Sequence, residues 1–181
     1  MPTPFCFEHT FRAPSVAEVF AAYFDPAHQA VQDARLDIIE RTVQSLDDRG
    51  GELVRVCRVV PRRQLPLFLR PFVPGQLHYR ETVRWRRADD EIDITILPSI
   101  LKGRAEITAV YRLSQVSPGE ILRRYAGSVS VDVALFSTRI ERGIVSEFER
   151  SMPVAAACTQ AWLDRAAGTP TDTDRSLTAR S

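Results

Sequence analysis

From about residue 35 to residue 133 the apolar side chains recur at every second position. A period of two is the signature of extended strands with one buried face. It predicts strands over about 35–46, 52–61, 75–88, 91–98, 103–116 and 119–133. Most of the links are turns. Asp47-Asp48-Arg49-Gly50-Gly51 and Ala88-Asp89-Asp90-Glu91 suit hairpin loops, and Ser117-Pro118-Gly119-Glu120 suits a type II turn. Links this short make neighbouring strands antiparallel, because parallel strands need long crossovers. Several strands exceed the usual five or six residues, and long strands in one sheet twist and curl.

The flanks are different. Phe5, Phe7 and Phe11 alternate with Cys6, Glu8, Thr10 and Arg12, which predicts a first strand. Ser15 with Glu18 forms a capping box opening a helix through Phe24, and Asp25-Pro26 opens a second helix to about Ala34. At the far end, Thr138 with Glu141 reads as another capping box. Ile140, Ile144, Phe148, Met152, Ala155 and Trp162 then recur at three to four residues, predicting a helix over 138–166 about 43 Å long. Pro153 falls inside that helix and predicts a kink near Glu149. Residues 168–181 carry one large apolar side chain and read as a disordered tail after a domain spanning 4–167.

One strand, two short helices, six strands and a long helix make an α+β layer arrangement. In this order the chain resembles the helix-grip fold of the START-like superfamily, over residues 4–166. Leu65-Pro66-x-Phe68-Leu69-Arg70, Glu81-Thr82-x-x-Trp85 and Gly127-x-Val129-x-Val131 resemble an uncharacterised bacterial family within it. The chain departs at Ser137-Thr138, where glycines would be expected. The resemblance implies a curved seven-stranded antiparallel sheet with the long helix across its concave face. It also implies a cavity between them for an apolar small molecule or lipid. One scaffold carries many functions there, so the chemistry has to be argued from side chains.

Composition narrows the function classes. Twenty-four basic against 23 acidic residues leave a net charge of +1, which argues against a general nucleic-acid binder. Cys6, Cys57 and Cys158 are odd in number and far apart, so neither a disulfide framework nor a zinc site is expected. The N-terminal residues have no basic and apolar leader pattern, and a cytoplasmic protein is expected. No metal-ligand spacing, nucleophile elbow or phosphate loop is present, so neither metal nor cofactor is expected.

Alternation assigns the inward faces. Leu77, Tyr79, Glu81, Val83 and Trp85 share one face of their strand. Ala105, Ile107, Ala109, Tyr111 and Leu113 do so on another, and Tyr125, Gly127, Val129 and Val131 on the last. The small residues Gly127, Ala105 and Ala109 read as leaving space. The expected ligand-binding set is Phe68, Phe72, Tyr79, Glu81, Trp85, Tyr111, Arg123, Tyr125, Ile144, Phe148 and Met152. Glu81 is a carboxylate on an apolar face and needs a partner or a shifted pKa. Three readings stand: a pair with Arg123 that holds a ligand's polar end or moves a proton, a structural ion pair, or a bulge that turns Glu81 to solvent.

The weak catalytic candidates are Glu81, Tyr79 and His9, the last sharing a face with three phenylalanines, whereas His28 reads as a surface residue. A cyclase- or dehydratase-like enzyme would use the same cavity. A protein-interaction module would have its cavity filled. Residues 62–75 are apolar yet hold Pro66, Pro71 and Pro74, with Arg62, Arg63 and Arg70 beside them. They read as core packing, as a lid, or, over 64–74, as a transient membrane contact. The outward row Arg80, Arg84, Arg86 and Arg87 reads as a solvated or ion-paired sheet face.

Overall fold

In the computed structural model of the chain, residues 1–62, 76–99, 103–133 and 136–168 are described. Alternating side chains build seven strands: β1 (Thr3–Arg12), β2 (Ile38–Arg49), β3 (Glu52–Pro61), β4 (Tyr79–Arg86), β5 (Glu91–Pro98), β6 (Ala105–Ser117) and β7 (Glu120–Val131). Three helices accompany them: α1 (Val16–Phe24), α2 (Pro26–Arg35) and α3 (Ser137–Gly168). The strands form one antiparallel sheet in the order β1-β7-β6-β5-β4-β3-β2. All the links from β2 to β7 join spatial neighbours, while α1 and α2 carry the chain from one sheet edge to the other. This is the helix-grip α+β arrangement, with α3 packed on the curved sheet.

Local chemistry explains the helix ends. The Ser15 hydroxyl accepts from the Glu18 N–H at 3.3 Å. The Asp25 carboxylate accepts from Ala27 and His28 at 2.8 and 2.9 Å and caps α2, whose first residue is Pro26. These bonds satisfy N–H groups that have no partner inside the helix. The chain then turns through Asp37, at φ 56°, so β2 starts at Ile38, later than alternation predicts.

The start of α3 differs from the expected capping box. The Ser137 hydroxyl accepts from the Val133 N–H and donates to the Val133 carbonyl, at 3.0 and 2.7 Å, which closes the strand-to-helix junction without glycine. Glu141 is buried, not on the outer face. Its Oε1 accepts from the Val131 N–H at 2.9 Å and its Oε2 from the Thr3 hydroxyl at 2.7 Å. One carboxylate thus joins α3 to the end of β7 and the beginning of β1. Pro153 sits inside a helix that runs unbroken past it.

The core lies between the concave face and the helices. Phe11, Phe20, Val83, Ile92, Ile121, Val129 and Ile140 are among its fully buried members. Gly127 has a different role from the expected one. A Cβ there would run into the Thr108 carbonyl oxygen and stand 2.7 Å from the Ala109 Cα. Glycine at this point lets β7 press against the β6 backbone, instead of opening space in the interior. The C-terminal stretch expected as a tail lies outside the described residues, apart from Gly168, which ends α3.

The convex face is laced with cross-strand ion pairs. Arg84 meets Glu52 at 3.1 Å and Arg87 meets Asp48 at 2.7 Å, while Arg86 pairs with Glu91, Asp89 and Asp93. Most of the outward arginine row is therefore matched by carboxylates. Such exposed pairs contribute little stability each. No helix among the described residues is long and apolar enough to cross a membrane.

Candidate functional site

Curling the long strands under α2 and α3 leaves a cavity of about 410 Å³. Its apolar walls include Ile94, Ile96, Ile107, Ile144, Phe148 and Met152. All four tyrosines of the chain, Tyr23, Tyr79, Tyr111 and Tyr125, line it from α1, β4, β6 and β7. Among the described residues their hydroxyls have no hydrogen-bond partner. Burial pushes each of these phenols well above its ordinary pKa, so each remains a neutral donor and acceptor. Arg35 and Asp37, at the end of α2 and beyond it, and Glu147 and Arg150 of α3 are exposed, charged members of the lining.

Two groups of charges face this interior. The first is a chain of ion pairs across three elements. Arg41 of β2 meets Asp33 of α2 at 2.9 Å and Glu81 of β4 at 2.6 Å, with all three side chains largely shielded from solvent. Burial works against the Arg41 charge, but the Glu81 and Asp33 carboxylates outweigh it and the net shift is upward. Glu81 is therefore held by Arg41, and the expected pair with Arg123 is not formed.

The second is Arg123 itself, on β7. It is 5% exposed and lines the cavity, yet no carboxylate and no hydrogen-bond acceptor meets it among the described residues. Its guanidinium lies over the Phe11 ring, 5.5 Å from the centroid. That contact, worth about 2 kcal/mol when desolvated, offsets only part of the several kcal/mol that burying an ion costs. Burial accordingly lowers its pKa.

Of the expected set, Tyr79, Glu81, Tyr111, Arg123, Tyr125, Ile144, Phe148 and Met152 come together around the cavity. Trp85 does not join them. Its ring stacks on Phe20 at 4.9 Å and Phe24 at 5.0 Å, so α1 covers it. Alternation gave its face correctly but not what lies above it. Phe68 and Phe72, and the stretch 64–74 read for membrane contact, lie outside the described residues. His9 shares the inward face of β1 but packs 5.0 Å from the Phe11 ring and does not line the cavity.

His28 corrects the sequence reading. It is buried, 3.3 Å from the Thr159 hydroxyl and edge-on to Trp162, and it lines the cavity. Burial lowers its pKa despite the nearby Asp25. Tyr23, Asp33 and Arg41 were also not singled out by sequence reasoning. Two β-bulges in β2, between Ile38 and Glu40 and between Val43 and Ser45, break the alternation, which in phase with Ile38 would have turned Arg41 outward. Tyr23 lies on a helical stripe, where an inward tyrosine reads as core.

The same architecture recurs in many solved structures. The Zhui aromatase/cyclase from Streptomyces sp. R1128 has a TM-score of 0.61 at 10% identity, covering 91% of this chain and 95% of its own. A START superfamily protein from Mycobacterium smegmatis gives 0.58 at 9% identity, covering 90% and 97%. Ara h 8.0201 gives 0.63 at 11% identity, covering 89% and 99%. At such identities the likeness is one of fold. No curated protein sequence matches the chain. One family matches nearly the whole domain, residues 7–163: the chain belongs to the family described as "Protein of unknown function (DUF2505)", built on the START-like fold.

Proposed function

We propose that this protein binds an apolar small molecule or lipid between its sheet and α3. The observation that carries the reading is the cavity itself. Its 410 Å³ falls in the range of sites that enclose drug-sized ligands. Apolar walls with a few convergent polar groups are the usual make-up of such sites. Interiors normally pack to crystal-like density, so a void of this size reads as a place kept for a guest. Tyr79, Tyr111 and Tyr125 orient it, and Ile144, Phe148 and Met152 supply apolar contact. A fold shared with a START superfamily protein and an aromatase/cyclase supports the reading.

Native mass spectrometry of the purified protein, followed by solvent extraction, tests it. The expected result is a mass excess that disappears on denaturation and yields an apolar molecule. A bare mass, together with a lipid and polyketide panel that leaves the melting temperature unchanged, would overturn the proposal, since any ligand that prefers the folded state must raise it.

A further inference from the structure

The charges between sheet and helices are unevenly matched. Three guanidinium groups, Arg41, Arg55 and Arg123, lie there with three carboxylates, Asp33, Glu81 and Glu141. Glu141 is held by the Val131 amide and the Thr3 hydroxyl and does not line the cavity. Arg41 takes the other two carboxylates. Arg55 is covered by the rings of Tyr23 and Phe24 and reaches the Gln29 side-chain oxygen at 3.5 Å. Among the exposed lining residues Arg35 and Arg150 are matched in number by Asp37 and Glu147, which adds no net charge. Arg123 is the guanidinium that faces the cavity with no acceptor among the described residues.

Its surroundings specify what is missing. Tyr111 and Tyr125 flank Arg123 on the paired strands β6 and β7, and their neutral hydroxyls have no partner among the described residues. A guanidinium fork matches a planar two-oxygen acceptor, and phenol hydroxyls donate to the remaining lone pairs. One guanidinium without a carboxylate partner fits a monoanion, whereas a phosphate monoester would bring nearly two negative charges. The lining residues Pro61 and Pro98 lie where β3 and β5 end, at the other end of the sheet from Arg123 near the start of β7. With the anionic end at Arg123, the apolar body extends along Ile107, Ile144 and Phe148.

We infer that the ligand is an amphipathic monocarboxylic acid whose carboxylate is held by Arg123 with Tyr111 and Tyr125. This rests on the binding reading above and deepens it. The test is calorimetric titration of lauric acid and naphthylacetic acid, their methyl esters and dodecyl phosphate, into wild-type protein and Arg123→Met. The expected result is acid binding about 10- to 100-fold tighter than the matching ester in wild type. That preference should vanish in Arg123→Met, with ester affinity unchanged. The melting temperature of the free variant should equal or exceed that of wild type, because an unmatched buried cation is removed. Equal binding of acid and ester by wild type, or a preference that survives in Arg123→Met, overturns the inference and leaves the binding reading standing. Tighter binding of dodecyl phosphate than of lauric acid overturns the carboxylate assignment. A drop in the variant's melting temperature marks Arg123 as a structural cation and overturns it too. No binding by any member of the set overturns the inference together with the reading beneath it.

Discussion

At the scale of residues, Arg41 and Arg123 are opposite cases of one problem. Each is a guanidinium withdrawn from water, but Arg41 has two carboxylates and Arg123 has none. Removing Arg41 strands Asp33 and Glu81 as buried charges. Arg41→Met should therefore destabilise the fold by about 3–5 kcal/mol, visible in urea unfolding as a lower midpoint with an unchanged slope. His28 gives a pH prediction. Burial holds its native pKa below 6.5, so the unfolded chain binds the proton more readily. The stabilisation from neutral His28 is complete above pH 6.5 and is lost as pH falls below it toward the native value. Melting temperatures measured between pH 7.5 and 5 should fall, and fall less in His28→Gln. His9, also lowered by burial and by Arg123, accounts for part of what remains. Glu81 was legible in the sequence because a carboxylate on an apolar alternating face stands out. Its true partner was not, because bulges reset the phase of β2 before and after Arg41.

At the scale of elements, strand identity was written in the alternation, and most strand ends fall at the turn residues that predicted them. Beyond that, pattern alone misled in instructive ways. Gly127 and Glu141 were both read from local sequence, one as a space-maker and one as a helix cap. Each instead answers to a neighbour remote in sequence: the β6 backbone for Gly127, Thr3 and the Val131 amide for Glu141. A contact of that kind has no periodic trace. The Gly127 position yields a sharp expectation. Gly127→Ala should force β6 and β7 apart and cost about 1–3 kcal/mol or more, as overpacked cores do. Hydrogen exchange should then show the paired amides of these two strands losing protection while those of β3 and β4 keep it. Uniform loss across the sheet, or none, would contradict this account.

At the scale of the molecule, the order of elements was enough to give the helix-grip arrangement. Short links leave antiparallel neighbours as the only economical pairing, and a long amphipathic helix must bury its stripe on the sheet. The contents of the interior were less legible. Which inward side chains meet, and which leave a void, depends on curvature and on how α1 covers Trp85 while α2 and α3 stand off Tyr79. The pairing of the first strand with the last has one more consequence, for the protein's birth. β1 ends at Arg12, but its partner β7 begins only at Glu120. At about 5–20 residues per second, a ribosome separates the two by roughly 5–20 s. Throughout that interval Phe5, Phe7 and Phe11 lie on a strand with nothing to pair with, and the sheet must be assembled from its middle while its first strand waits.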